Sequence, residues 1–295
     1  LFGFTLARLR YLSYHGVFCN PNNRGPTGAS PGECYWYLQN PYKIGMMLHL
    51  YTILPAACLV VLQFTPVIRY KAMLFHRLNG YAVILLSLIA NAGAIIALPH
   101  AFGGDFTTRV VVGVLVISTT VSLALAYINI KLLQIDQHRA WMMRAWAYVI
   151  HKNTPENTHK AADTSLQFSI IITLRLIMFS SAAIISGYKS LAATYPCVQI
   201  DSVLGEDGTL AVYPGCSTYY DGSNLDQRVV VSPNFESENP LEIAAALGIS
   251  FGTAGWLALW IHAIVVEVYD VALLWIQTKV NTRCAEADSF SLAAP

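Results

Sequence analysis

Leu78-Asn-Gly-Tyr-Ala-Val-Ile-Leu-Leu-Ser-Leu-Ile-Ala-Asn-Ala-Gly-Ala-Ile-Ile-Ala-Leu98 runs for twenty-one residues without a charged side chain and stops at Pro99. About 20 apolar residues in a helix cross a hydrocarbon layer about 30 Å thick. Four further runs reach that length: Ile44 to Pro66, Val110 to Ile130, Leu166 to Gly187 and Leu241 to Ile276. The last is long enough to protrude. Backbone groups in lipid must be satisfied within their own segment, so helix is the expected conformation. Continuous apolar runs also do not fit the alternation of a barrel strand.

The composition says the same. Hydrophobic residues make up 55% of the chain and charged residues 12%, against about 25% charged in soluble domains. The net charge of +1 suggests no nucleic-acid partner, and no nucleic-acid motif is present. The fold class expected is all-α: an integral membrane bundle of about five spanning helices with a disulfide-pinned outer or lumenal loop cap. The apolar opening, Leu1 to Ala7, predicts one more span or a signal anchor before residue 1.

Orientation follows from loop charge. Arg69, Lys71 and Arg77 follow the first span, and Lys131, Arg139, Arg144, Lys152 and Lys160 follow the third. These loops are expected in the cytosol. The stretch Lys189 to Pro240 has two bases and seven acids and is expected on the opposite side. Cys19, Cys34, Cys197 and Cys216 all fall on that side, where disulfides persist. The simplest pairing is Cys19–Cys34 with Cys197–Cys216, although four cysteines allow three connectivities. The chain then divides into an outer N-terminal segment 1–43, a membrane core 44–188, an outer disulfide loop 189–240, a last membrane helix 241–278 and a cytosolic tail 279–295.

Two strings carry candidate chemistry: His76-Arg77-Leu78-Asn79-Gly80-Tyr81 and His138-Arg139-Ala140-Trp141-Met142-Met143-Arg144. Each puts a His-Arg pair at the same expected membrane face. Two imidazoles there suit a metal or a haem iron, and Arg77, Arg139 and Arg144 suit carboxylates or phosphates. The plainer alternative is that both strings cap helices and meet lipid headgroups. Toward the other face, His49 and His100 form a second candidate pair. Within the spans lie Arg175, His262, Glu267 and Asp270. Charges in hydrocarbon cost at least about 2.5–3.5 kcal/mol each and are kept with partners or for function. Arg175 points to a polar cavity or a ligand. Glu267 and Asp270 share a helix face, and serve either as acid/base groups with His262 or as ion pairs to Arg77, Arg139 or Arg144.

At these strings the chain resembles the domain of unknown function 2306 family of membrane proteins. The resemblance rests on Arg10-Tyr11, His49, Gln63-Phe64, the two His-Arg strings, Gly103-Gly104 and Leu174-Arg175, in that order. The family's tyrosine slot falls on Ile84, and Tyr81 stands instead directly after Gly80. The stretch His151 to Thr164 and the cysteine-bearing loop resemble fungal elaborations of the family. The histidines at both faces are also similar to those of b561-type di-haem cytochromes.

Three functions remain open on these residues. One is a redox protein holding haem b or a metal through His49 and His100 or His76 and His138, with the arginines on the propionates. Another is a membrane enzyme acting on a terpenoid or quinone-like lipid through His262, Glu267 and Asp270. The third is a subunit of a membrane complex whose polar residues tie helices together. Membrane lipids, a lipophilic small molecule and a membrane protein are the expected partners. No Walker loop, dinucleotide fingerprint or His-Glu-x-x-His zinc helix is present.

Overall fold

A computed structural model describes residues 2–20, 27–146, 170–188 and 190–292. Its helices are α1 (Phe2–Arg8), α2 (Glu33–Tyr37), α3 (Tyr42–Phe64), α4 (Pro66–Lys71), α5 (Met73–Ala97), α6 (Phe106–Lys131), α7 (Ile135–Trp146), α8 (Ile170–Ile185), α9 (Cys197–Val212), α10 (Ser217–Tyr220) and α11 (Pro240–Leu292). Strands β1 (Ala193–Pro196) and β2 (Arg228–Val231) add a short antiparallel ribbon, with Tyr195 opposite Val229.

Four helical stretches are long and apolar enough to cross a membrane: Tyr42–Phe64, Met73–Gly104, Phe106–Lys131 and Pro240–Val268. These are four of the five expected spans, and the protein is an integral membrane protein. The fifth expected span is described as the shorter apolar helix Ile170–Ile185, its first residues lying outside the described set. The stretch His151 to Thr164 also lies outside the described residues. α11 continues as helix to Leu292.

Internal contacts divide the chain into a first unit, Leu1–Thr120 with Ile171–Ala258, and a second, Val121–Ile170 with Leu259–Pro295. In the first unit α3 and α5 pack antiparallel along their length. The buried face of α5 is Asn79, Val83, Ser87, Ala90, Gly93 and Ala97, a helical stripe of mostly small residues. Such stripes let backbones approach in a membrane, where lipid removes the hydrophobic drive between helices. At the closest approach a Cβ on Gly93 would lie 2.6 Å from the Gly45 carbonyl oxygen, and one on Gly45 would lie 2.6 Å from Ile96. Only hydrogen fits at either place. α11 repeats the device, with Gly252 against Thr107 and Gly255 against Val111.

Both expected disulfides are present, Cys19–Cys34 and Cys197–Cys216. Around the first, Tyr14, Phe18 and Tyr37 bury themselves against Leu50 and Ala97. Around the second, Tyr195, Ile200, Val231 and Leu241 form a small core. The indole N–H of Trp36 donates to Gln199 Oε1 at 2.9 Å and joins the two crosslinked segments.

In the second unit, Leu133 turns the chain between α6 and α7 with φ +60°. Its Arg144 and Glu267 form an ion pair at 2.9 Å.

Candidate functional site

The Gly103-Gly104 segment makes the least ordinary backbone among the described residues. After α5 the path leaves helical geometry at Ala101, and Phe102, Gly103 and Gly104 follow with φ of +49°, +80° and +63°. Phe102 is not a glycine, and a side chain in that region costs about 1–2 kcal/mol. Residues so held cluster where surrounding structure over-determines them, often at functional sites.

Four contacts hold Phe102 there. Its backbone N–H donates to Glu33 Oε1. Its ring stacks on Phe251 with centroids 4.1 Å apart. The Arg175 guanidinium carbon lies 4.9 Å from the same ring. Its carbonyl packs so near α11 that a Cβ on Gly248 would sit 2.8 Å away. Arg109 completes the loop by donating to the Gly104 carbonyl at 2.7 Å and the Pro99 carbonyl at 3.1 Å.

Glu33 is 5% exposed. It accepts from the Ser30 N–H at 3.0 Å as well as from Phe102. Burial pushes its carboxyl up to about 7, against the opposing pull of those two N–H groups and of Arg175. Tyr37 and Tyr195 face the same carboxyl, and burial holds both phenols well above their ordinary value. The Tyr195 hydroxyl lies 3.7 Å from where a Cβ would stand on Gly103 or Gly248. Arg175 contacts the Met178 sulfur at 3.8 Å. Among the described residues it has no carboxylate within 4.0 Å. The centre therefore combines an apolar aromatic wall, a cation with no carboxylate within 4.0 Å among the described residues and an acid whose carboxyl burial raises.

The other candidates sit elsewhere. His49 bridges α3 and α5 through Nδ1, 3.0 Å from the Ala90 carbonyl. His100 stacks flat on Trp36, centroids 3.9 Å apart, with Tyr42 at its edge. The two histidines thus have separate partners. His76 belongs to a polar knot: Asn79 Nδ2 donates to the Leu59 carbonyl and to Gln63 Oε1, both at 2.9 Å, and Gln63 Nε2 meets His76 Nε2 at 3.3 Å. Asn79 fixes which end of Gln63 is oxygen, so Gln63 donates to His76 and the imidazole carries its proton on Nδ1. Gly80 closes the knot, since a Cβ there would lie 2.9 Å from Gln63 Nε2.

In the second unit, His138 Nδ1 lies 2.8 Å from the Ala126 carbonyl. Arg144 grips Glu267 at two points, 2.9 and 3.1 Å, and lies 4.9 Å from the Trp141 ring. This is one of the ion pairs expected from the sequence. His262 is buried, at 3% exposure. The Asp270 side chain lies outside the described set. Arg77 is exposed and Arg139 half-buried. Among the described residues no three His, Cys, Asp or Glu side chains gather to hold a metal ion.

Sequence reasoning named Arg175 but missed Glu33, Phe102, Tyr195 and Phe251. The available signal was Gly103-Gly104 after Pro99, which marks a turn needing positive φ.

No solved structure matches the chain. It is similar to "Ava biosynthesis cluster protein G" of Aspergillus versicolor, 23% identical over 340 aligned positions that cover 95% of this chain and 91% of the relative. Residues 46–184 match the family model described as "Predicted membrane protein (DUF2306)". That segment, similar to the family, holds His49, both His-Arg strings, the Gly-Gly loop and Arg175.

Proposed function

We propose that the protein serves small-molecule biosynthesis by binding an anionic lipophile at the Phe102 loop, with Arg175 on its head group and Phe102 and Phe251 against its apolar body. The observation that carries this reading is Arg175, a guanidinium in an apolar helix with no carboxylate within 4.0 Å among the described residues. A cation so placed is retained for a partner or a ligand, and guanidinium suits carboxylate or phosphate heads. The relative from Aspergillus versicolor bears the name of a biosynthesis cluster and aligns with 95% of this chain. That supports a role in making small molecules. Positive-inside loop charge supports an outer or lumenal position for the disulfide-bearing end, and with it this site.

The test is to purify the full chain and its Arg175→Met variant in neutral detergent and compare extracted small molecules by mass spectrometry. An acidic lipophile retained by the parent and lost from the variant is the expected result. Identical extracts overturn the reading.

A second reading, haem b on His49 and His100 or on His76 and His138, has one observation in its favour. His49 and His138 each direct Nδ1 at a backbone carbonyl, the arrangement that orients Nε2 toward a metal. Their proposed partners suit it less, because the His100 ring is stacked on Trp36 and His76 Nε2 faces Gln63. A Soret band in the same preparation, abolished in His49→Ala, is the result that would favour haem.

A further inference from the structure

Glu33 and Arg175 lie 142 residues apart in the sequence and meet at one residue. The backbone N–H of Phe102 serves the carboxyl and its ring serves the guanidinium. Each group also feels the other's charge. We infer that Glu33 and a bound anion compete for the Arg175 guanidinium, so that the protein takes up an anionic lipophile together with a proton. This rests on the anion site proposed above and specifies how that site is controlled.

The surroundings leave Glu33 as the group that yields. On its own helix the titratable neighbour is Tyr37, and from β1 it is Tyr195. Both phenols stay neutral at every pH at which the fold is handled, because burial opposes their ionisation. Arg8 and Tyr11 stand near Arg175 from the N-terminal segment. Arg8 donates to the Tyr11 hydroxyl at 2.7 Å and so has a partner of its own. Arg109 is occupied by the Gly104 and Pro99 carbonyls. His100 meets α2 through Trp36, not through Glu33.

A second negative charge beside Arg175 therefore faces the Glu33 carboxylate in a buried setting. Water cannot screen the repulsion there, and a carboxylate shared by two such sites takes up a proton. Burial already holds this carboxyl near neutrality, at about 7, so the proton is available from solvent at ordinary pH. The acid can protonate without leaving its place. Oε1 accepts from the Phe102 amide and Oε2 from the Ser30 amide, each with one of its two lone pairs, so a proton can take a free lone pair and become a donor that the anion accepts. Empty and charged, Glu33 balances Arg175. Occupied, the ligand takes over that balance.

The experiment uses decanesulfonate, whose head stays ionised throughout, so any pH dependence belongs to the protein. Titration calorimetry of the full chain in neutral detergent is run between pH 6 and 8.5, in two buffers of different ionisation enthalpy. Expected are a fall in affinity of about tenfold from pH 6 to 8.5 and uptake of a proton near neutrality. Glu33→Gln binds with the same affinity across that range. Binding that the parent shows equally at pH 6 and 8.5, with heats independent of buffer, overturns the coupling and leaves the anion site standing. No binding at either pH, or binding that survives Arg175→Met undiminished, overturns the site itself. The buffer comparison on the parent keeps the proposal open to failure if Glu33→Gln does not fold.

Discussion

The backbone N–H of Phe102 donates to the carboxylate of Glu33, sixty-nine residues earlier in the chain. The contact fastens a left-handed loop residue to the helix that carries Cys34 of the Cys19–Cys34 crosslink. Position and charge are thereby set by one another: the loop stays strained because the acid holds it, and the acid stays buried because the loop covers it.

Gly104 and Gly222 separate strain from crowding. Both have positive φ, +63° and +77°, but a Cβ on Gly104 would lie 1.9 Å from the Pro99 carbonyl oxygen, while nothing lies within 4 Å of one on Gly222. Gly222→Ala is expected to cost about 1–2 kcal/mol from conformation alone. Gly104→Ala adds a clash that the loop can relieve only by moving, and is expected to prevent accumulation of folded protein. Thermal unfolding in detergent, read by near-UV circular dichroism, checks both. A Gly104→Ala protein as stable as Gly222→Ala contradicts the assignment of the loop as rigid.

Stability should fall as pH rises toward and past neutrality, and Glu33 sets the direction. Its folded value, about 7, lies above the ordinary value of 4.5. A group whose folded value is raised contributes most below its unfolded value and loses that contribution as pH climbs through the folded one. The difference corresponds to roughly 3 kcal/mol between pH 4.5 and 7. Unfolding midpoints of the parent should decline across that window, and those of Glu33→Gln should decline less. Parallel pH profiles for the two proteins would show that the acid is not buried as described.

Gly80→Ala should break the polar knot at the other end of α3 and α5. The added methyl meets Gln63 Nε2 at 2.9 Å, and turning Gln63 away breaks its hydrogen bonds with Asn79 and His76. Leaving a buried polar group without its partner costs about 1–3 kcal/mol. A second substitution, Gln63→Ala, makes room for the methyl. The double variant should therefore lose less stability than the sum of the two single ones, and a simple sum denies the coupling.

The spans were legible because hydrocarbon admits so few residue types: Leu78 to Leu98 could hardly be anything else. The crosslinks were legible because their partners lie 15 and 19 residues apart, each inside one segment of the loop face. Arg175 stood out by its charge alone. Glu33 did not, since a single acid in a short segment before the first span has no periodicity to mark it. Its partner gives no signal either, because a backbone N–H is the same in every residue but proline. The pairing of His49 with His100 was argued from depth in the membrane. Depth does not fix the direction a side chain takes around its helix, and the structure gives the two rings different neighbours.

Trp36 carries a practical consequence. Its indole is hydrogen-bonded to Gln199 and lies flat on His100, so one chromophore touches both crosslinked segments and the end of α5. With the other tryptophans replaced, its emission becomes a native optical gauge of that joint. Loosening of either segment shows as a change of colour before the helices themselves come apart.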